Sequence, residues 1–159
     1  MTYRIDGLPL APFAHLIGAS EETLARHNAL RLTARSKPGA PCRVTLEDAE
    51  PGETLILVNH VSHDVANPYR AAHAIFVREA AREPATYVDE LPPVMASRTL
   101  SLRGFDAAGM MLDAAVTQPG EAEAGIAALF ADPAIAYIHA HNAARGCFAA
   151  RVHRHGDAP

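Results

Sequence analysis

The sequence has few of the residues that mark specialised structural classes. Its 159 residues include two cysteines, Cys42 and Cys147, and no tryptophan, which excludes a disulfide-rich secreted scaffold. No apolar run approaches the roughly 18 residues of a membrane span, and the charged N-terminus lacks the hydrophobic region of a signal peptide. The net charge is −4, with no basic block that could track nucleic acid phosphates. We therefore expect a cytoplasmic protein with neither a membrane nor a nucleic acid as its partner.

Signatures of common cofactor and hydrolase sites are also missing. No glycine cluster opens a helix after a predicted strand, as phosphate-binding and dinucleotide-binding loops require. No GxSxG nucleophile elbow is present. Any functional site must therefore be built from other residue types.

Length and composition fit one globular domain. The chain falls within the roughly 100–200 residues of a single domain, and 49% of its residues are hydrophobic against 20% charged. Short strands with short connections and only two or three helices predict an α+β fold on a mainly antiparallel β-sheet. We expect a single α+β domain over residues 1–155, followed by a frayed tail at 156–159.

Local patterns predict the individual elements. Ser20 is a good N-cap for a helix that should end near Asn28, and the apolar spacing within 119–132 predicts a second helix. The range 61–72 lacks periodicity and is expected to be the longest loop, with His60 and His63 solvated. In the alternative interpretation, these two histidines supply further ligands or a general base. Alternating and branched apolar runs predict strands at 2–6, 30–34, 42–47, 54–58 and 73–78.

Residues 99–117 predict a β-hairpin. Its turn is Asp106-Ala107-Ala108-Gly109, with Gly109 in the left-handed conformation and Asp106 paired with Met110. This register places Arg103 opposite Asp113. It gathers the aliphatic residues on one buried face: Leu100, Leu102, Leu112, Ala114 and Val116.

The range 137–152 predicts a second hairpin with an unusual polar face. If His141 pairs with Cys147, alternation separates an apolar face from a polar one. The apolar face comprises Ile138, Ala140, Phe148, Ala150 and Val152. The polar face comprises Tyr137, His139, His141, Cys147, Arg151 and His153.

Three interpretations of this polar face remain open. His139, His141 and Cys147 could ligate zinc or another transition metal, which imidazole and thiolate groups favour. Alternatively, Cys147 is a catalytic nucleophile whose thiolate His141 stabilises, with Cys42 as a further ligand or a resolving thiol. In the third interpretation the histidines only bond to neighbours or face water.

Arginines on or beside predicted strands supply a separate hypothesis. A guanidinium group could hold a carboxylate or phosphate, and six arginines qualify: Arg43, Arg70, Arg78, Arg98, Arg103 and Arg151. Of these, Arg43, Arg103 and Arg151 are the predicted ligand-binding residues, together with Asn142. Pairing of the strand arginines with Glu79, Asp48 or Asp113 would explain the same residues without a function.

Several blocks together resemble a bacterial family called domain of unknown function 1203. They are KPGAPCRVTLEDAEPGE (37–53), NPYR (67–70), IFVRE (75–79), LSLRGFDAAGMMLDAAV (100–116) and YIHAHNAARGCFAARV (137–152). The resemblance implies a stand-alone bacterial domain and carries no activity with it. Its characteristic positions are Cys42-Arg43, Arg70, Arg78-Glu79, Arg103, Asp106, Asp113, His139, His141-Asn142 and Cys147.

Two functions follow from these observations. The first is a site for a small anionic molecule, for binding or catalysis, on the face that carries His139, His141 and Cys147. The second is a non-catalytic homodimer that uses the same polar face as its interface.

Overall fold

A computed structural model describes residues 2–156 of the chain. These residues form nine β-strands, three α-helices and one 3-10 helix, Ala11–Leu16. The strands are β1 Tyr3–Asp6, β2 Ala29–Thr33, β3 Thr54–His63, β4 Ala71–Arg78, β5 Thr86–Val88, β6 Leu100–Phe105, β7 Met111–Thr117, β8 Tyr137–Asn142 and β9 Phe148–Arg154. The helices are α1 Glu21–Arg26, α2 Pro93–Ala96 and α3 Ala122–Phe130.

The strands form two antiparallel sheets. The larger sheet has the order β5-β1-β9-β8-β6-β7, and the smaller one has the order β2-β3-β4. Every pairing between named strands is antiparallel. The predicted α+β domain on a mainly antiparallel sheet is thus confirmed. Apart from Gly156, the predicted tail lies outside the described residues.

Each sheet has its own apolar core. One face of the larger sheet packs against α2 and α3 through buried residues such as Leu102, Ile126 and Ile138. The smaller sheet packs against the 3-10 helix and α1 through Ile56, Ile75 and their neighbours. The second face of the larger sheet is thereby left free to meet the smaller sheet.

Both predicted helices are confirmed, although they are shorter than expected. The Ser20 side chain accepts a hydrogen bond from the Thr23 N–H and caps α1, which ends at Arg26. The buried face of α3 includes Ile126, Leu129 and Phe130. No helix within residues 2–156 has both the length and the apolar character needed to cross a membrane.

The hairpin of β6 and β7 has the predicted turn but not the predicted register. Gly109 has a φ of 79°, and the Asp106 N–H donates to the Met110 carbonyl. A β-bulge next to Gly104 and Phe105 then shifts the pairing by one residue, so that Arg103 lies opposite Ala114 instead of Asp113. Such a shift turns side chains to the opposite face. The expected common aliphatic face is therefore wrong, because Leu112 and Val116 are exposed.

The strand predicted at 42–47 is a tight turn. Leu46 has a φ of 53°, and the Cys42 N–H donates to the Glu47 carbonyl. The reversal replaces the extended backbone that alternation suggested. It also brings Arg43 inward, where its N–H donates to the Phe76 carbonyl of β4.

The long loop predicted at 61–72 is partly strand. The strand β3 continues to His63, and β4 begins at Ala71. A bulge between Val61 and His63 breaks the alternation there. His63 is buried, so the prediction that it is solvated is wrong.

Candidate functional site: a cleft beside Arg43 and Cys147

The C-terminal hairpin has the predicted histidine face, but some of the residues on that face differ from the prediction. His139 and His141 lie on the same face of β8, with ring centroids 6.2 Å apart. The register differs from the prediction, because His141 pairs with Phe148 and a bulge follows Ala140. Phe148 consequently joins the histidine face, 5.1 Å from the ring of His139. Cys147 lies in the loop just before β9.

This face is covered by the smaller sheet. The ring of His63 on β3 lies 4.9 Å from the ring of His139, and His73 on β4 lies 4.9 Å from His141. His139 and His141 are each only 2% exposed. Neither of these two histidines is therefore exposed to a second subunit, and a homodimer interface on this face stays a prediction.

Burial sets the charge state of the two central histidines. It lowers the pKa of His139 to about 2, with the nearby His63 and Arg151 acting in the same direction. Burial also lowers the pKa of His141 to about 4, against an opposing hydrogen bond from its ring to the Gly146 carbonyl. Both imidazoles are therefore neutral at pH 7 and act as packed polar groups between the sheets.

The three predicted metal ligands have different neighbours. The ring of His139 packs against His63, Phe105 and Phe148, whereas the Cys147 sulfur bonds to Arg43 and Asn142. Among residues 2–156, no three His, Cys, Asp or Glu side chains converge in a way that could hold a metal ion. A metal on these three residues stays a prediction without geometric support.

His63 and Tyr137 form a buried hydrogen-bonded pair. The Nδ1–H of His63 donates to the Tyr69 carbonyl (2.9 Å), so its Nε2 accepts from the Tyr137 hydroxyl (2.7 Å). Sequence analysis gave His63 no such role, because the sequence does not show that β3 extends this far.

Loss of the His63–Tyr137 hydrogen bond should lower the stability of the protein measurably. Tyr137→Phe leaves the buried His63 Nε2 without a donor, so we expect the free energy of unfolding to fall by about 1–3 kcal/mol. Chemical denaturation of both proteins tests this. Tyr69→Phe is the matched control, because it removes the hydroxyl group of an exposed tyrosine. An equal loss of stability in the two variants would contradict the prediction.

Arg43 is a buried cation without a carboxylate partner. It is 1% exposed, and the ion pairs found within residues 2–156 do not include it. Its Nε donates to the Phe148 carbonyl (2.7 Å), its Nη1 to the Pro41 carbonyl, and its Nη2 to Cys147 Sγ (3.2 Å). Burial lowers the pKa of Arg43, while its interactions with Cys147 and Cys42 oppose that shift. An arginine stays charged in proteins, so this site favours negative charge nearby.

A cleft of about 1000 Å³ opens beside this arginine. Arg43, Asn142 and Cys147, which sequence analysis singled out, lie in its wall. The wall also contains Gly39, Pro41, Leu57, Ala72, His73, Ala74, Phe76, Ser97, Arg98, Thr99, Ala143, Ala144 and Arg145. Among the residues that the structure describes, the lining thus carries three arginines and no Asp or Glu.

The other predicted ligand-binding arginines have different surroundings. The guanidinium carbon of Arg151 lies 3.7 Å from the centre of the Tyr137 ring, and Arg103 Nε donates to Ser101 Oγ (3.3 Å). Neither is among the residues that line the cleft. Burial lowers the pKa of each. They help to make the covered face electropositive.

Sequence analysis missed Arg145 and His73 as site residues of the cleft, and it named Arg98 without placing it there. Arg145 lies two positions before Cys147, and this closeness was an available signal. His73 and Arg98 come from distant segments, and only the fold brings them to the cleft. The Arg98 guanidinium binds both carboxylate oxygens of Asp48, at 2.6 and 2.9 Å, as one of the pairings proposed from the sequence.

A family model described as "Protein of unknown function (DUF1203)" matches residues 39–154. The chain belongs to this family. The DUF1203 match contains every residue of the cleft wall, from Gly39 to Cys147. No curated protein and no solved structure matches the chain.

Proposed function

We propose that this DUF1203 protein binds a small organic anion in the cleft beside Arg43 and Cys147. The observation that carries the proposal is the positive charge of the lining, where Arg43 and Arg145 have no acidic partner among residues 2–156. A cleft with one sign of charge concentrates ligands of the opposite sign. Guanidinium groups bind carboxylate and phosphate oxygens through paired N–H donors.

The three arginines differ in their freedom to bind. Arg98 is committed to Asp48, and Arg43 has three of its N–H groups directed to Phe148, Pro41 and Cys147. Arg145 is exposed at the rim and has no ion-pair partner within residues 2–156. In the proposal Arg145 contacts the ligand directly, and buried Arg43 supplies a fixed positive potential.

The cleft also has an apolar surface for an apolar portion of the ligand. Ala72, Ala74 and Phe76 alternate along β4, and Leu57 pairs with Phe76 on β3, so these four share one face of the smaller sheet. All four line the cleft together with Pro41. Binding pockets of this kind combine an apolar wall with a few polar groups that fix orientation. The proposed ligand is therefore an anion with a small apolar body.

Calorimetry with benzoate as the probe tests this function. We expect Arg145→Ala to weaken benzoate binding about tenfold or more, because it removes one charge-assisted contact. Phenol, which is uncharged at pH 7 and of similar size, should bind far more weakly than benzoate.

Arg26→Ala provides the matched control. It removes an exposed arginine from α1, which is not part of the cleft, and should leave benzoate affinity unchanged. Equal affinity for benzoate and phenol, or equal loss in the two arginine variants, would refute an anion site here.

A further inference from the structure

The two thiols differ in access. Cys42 is 0% exposed, and its sulfur accepts a hydrogen bond from the Arg78 N–H (3.3 Å). Cys147 is partly exposed and lies in the cleft wall. Both are free cysteines. Of the two, only Cys147 can meet a small molecule that enters the cleft.

The sulfur of Cys147 receives two N–H donors. Arg43 Nη2 lies 3.2 Å away and Asn142 Nδ2 lies 3.4 Å away. Both groups donate, so the sulfur acts as the acceptor in both bonds. A thiolate is the stronger acceptor and the reactive nucleophile, and Arg43 has no carboxylate that would compete for its charge.

Asn142 also presents an acceptor that lacks a partner. Its Oδ1 is buried and has no hydrogen bond within the described residues. This oxygen belongs to the same amide group that donates to the Cys147 sulfur. A molecule that reacts at this sulfur and carries an O–H group would satisfy it.

We propose that Cys147 reduces hydroperoxides. The thiolate attacks the terminal oxygen of R–O–O–H, an S–O bond forms, and the O–O bond breaks. The sulfur is oxidised by two electrons, and the departing RO⁻ takes a proton from water to become ROH. Asn142 Oδ1 accepts the hydrogen bond from the attacked O–H group and afterwards from the sulfenic acid Cys147–S–OH.

The surroundings of Cys147 favour attack on a hydroperoxide and disfavour a disulfide with Cys42. The Arg43 guanidinium donates at the reacting sulfur, where it also stabilises negative charge on the transferring oxygens. Cys42 is buried, so it is not exposed to close a disulfide with the oxidised residue. The sulfenic acid should therefore persist long enough to be trapped. This inference does not depend on anion binding.

The test treats the full chain with hydrogen peroxide in the presence of dimedone and maps the adduct by peptide mass spectrometry. We expect an adduct on Cys147 and none on Cys42, formed about tenfold faster than on free cysteine at the same pH. Asn142→Ala and Arg43→Lys should each slow the reaction several-fold. Arg26→Ala is the matched control and should react at the rate of the unaltered protein.

Three results would overturn the proposal: a rate no higher than that of free cysteine, equal labelling of Cys42, or unaltered rates in both cleft variants. Near-ultraviolet circular dichroism of each variant verifies that it is folded. If Arg43→Lys fails to fold, the Asn142→Ala rate decides alone. Benzoate calorimetry and peroxide kinetics are separate measurements on the same unaltered protein, so either function can fail while the other holds.

Discussion

Acidification from pH 7 to pH 4.5 is expected to lower the free energy of unfolding by about 5 kcal/mol. The loss comes from His139 and His141, whose pKa values burial lowers to about 2 and about 4. It is comparable with the whole stability of many domains of this size, about 5–15 kcal/mol.

The sign of the effect follows from proton binding. Between pH 6.5 and the lowered pKa, each imidazole is neutral in the folded chain and protonated in the unfolded chain. Acid therefore stabilises the unfolded state by about 1.4 kcal/mol per pH unit for each histidine. The contribution is fully present above about pH 6.5 and is lost as the pH falls towards the folded pKa.

The charges around both rings explain why neither takes up a proton readily. His63, Arg151 and His153 face His139, and each lowers its pKa. Arg103, His73 and Arg43 act in the same way on His141. No carboxylate is among these influences. A positive charge on either ring would lose its hydration and would also be repelled by these neighbours.

Denaturant unfolding at several pH values measures this dependence. His141→Gln should lower the slope of stability against pH by about 1.4 kcal/mol per unit, whatever its effect on stability at pH 7. His27→Gln removes an exposed histidine at the C-terminal end of α1 and serves as the matched control. A flat stability profile between pH 6.5 and pH 5 would contradict the prediction.

Regular elements were predictable from the sequence because local patterns encode them. The Ser20 cap, the apolar face of α3 and the left-handed Gly109 are each confirmed. Each of these features depends only on residues that are close together in the sequence. The α+β class follows from the same local information summed along the sequence.

Register and burial were predicted less well, and β-bulges are the main reason. One bulge moved Leu112 and Val116 to an exposed face, and another brought Phe148 onto the histidine face. A single inserted residue reverses alternation, and no sequence pattern marks its position.

The candidate site was only partly predictable, since its centre is a contact between distant segments. Cys147, Asn142 and Arg43 were each selected, yet His141 was expected to be the partner of the thiol. The structure gives that role to Arg43, 104 positions away in the chain. A turn at Leu46, in a conformation that leucine rarely adopts, is what places this arginine.

Gly7→Ala should be among the most damaging single substitutions in this chain, lowering the free energy of unfolding by about 3 kcal/mol. A Cβ at Gly7 would lie 1.9 Å from the Val44 carbonyl oxygen. That oxygen is backbone, and it already accepts a hydrogen bond from the Ala85 N–H (2.9 Å). Relief of the clash must therefore move the chain itself.

The displaced segment is the one that carries Arg43. The Gly7 N–H donates to the Ala85 carbonyl (2.8 Å), and the Leu8 N–H donates to the Arg43 carbonyl (2.7 Å). Three chain segments thus meet backbone to backbone at Arg43 and Val44. We expect Gly7→Ala to weaken benzoate binding in the fraction that still folds, because the contacts of Arg43 depend on this position.

Gly18→Ala separates this clash from the general cost of replacing glycine. Gly18 has a φ of 69° and no atom within 4 Å of an added Cβ, so the substitution costs only the strain of a left-handed residue, about 1–2 kcal/mol. Thermal denaturation should show a fall of about 6–12 °C for Gly7→Ala. For Gly18→Ala we expect a smaller fall and unchanged benzoate binding. Equal losses would mean that the Val44 carbonyl yields easily, and that the position of Arg43 does not depend on Gly7.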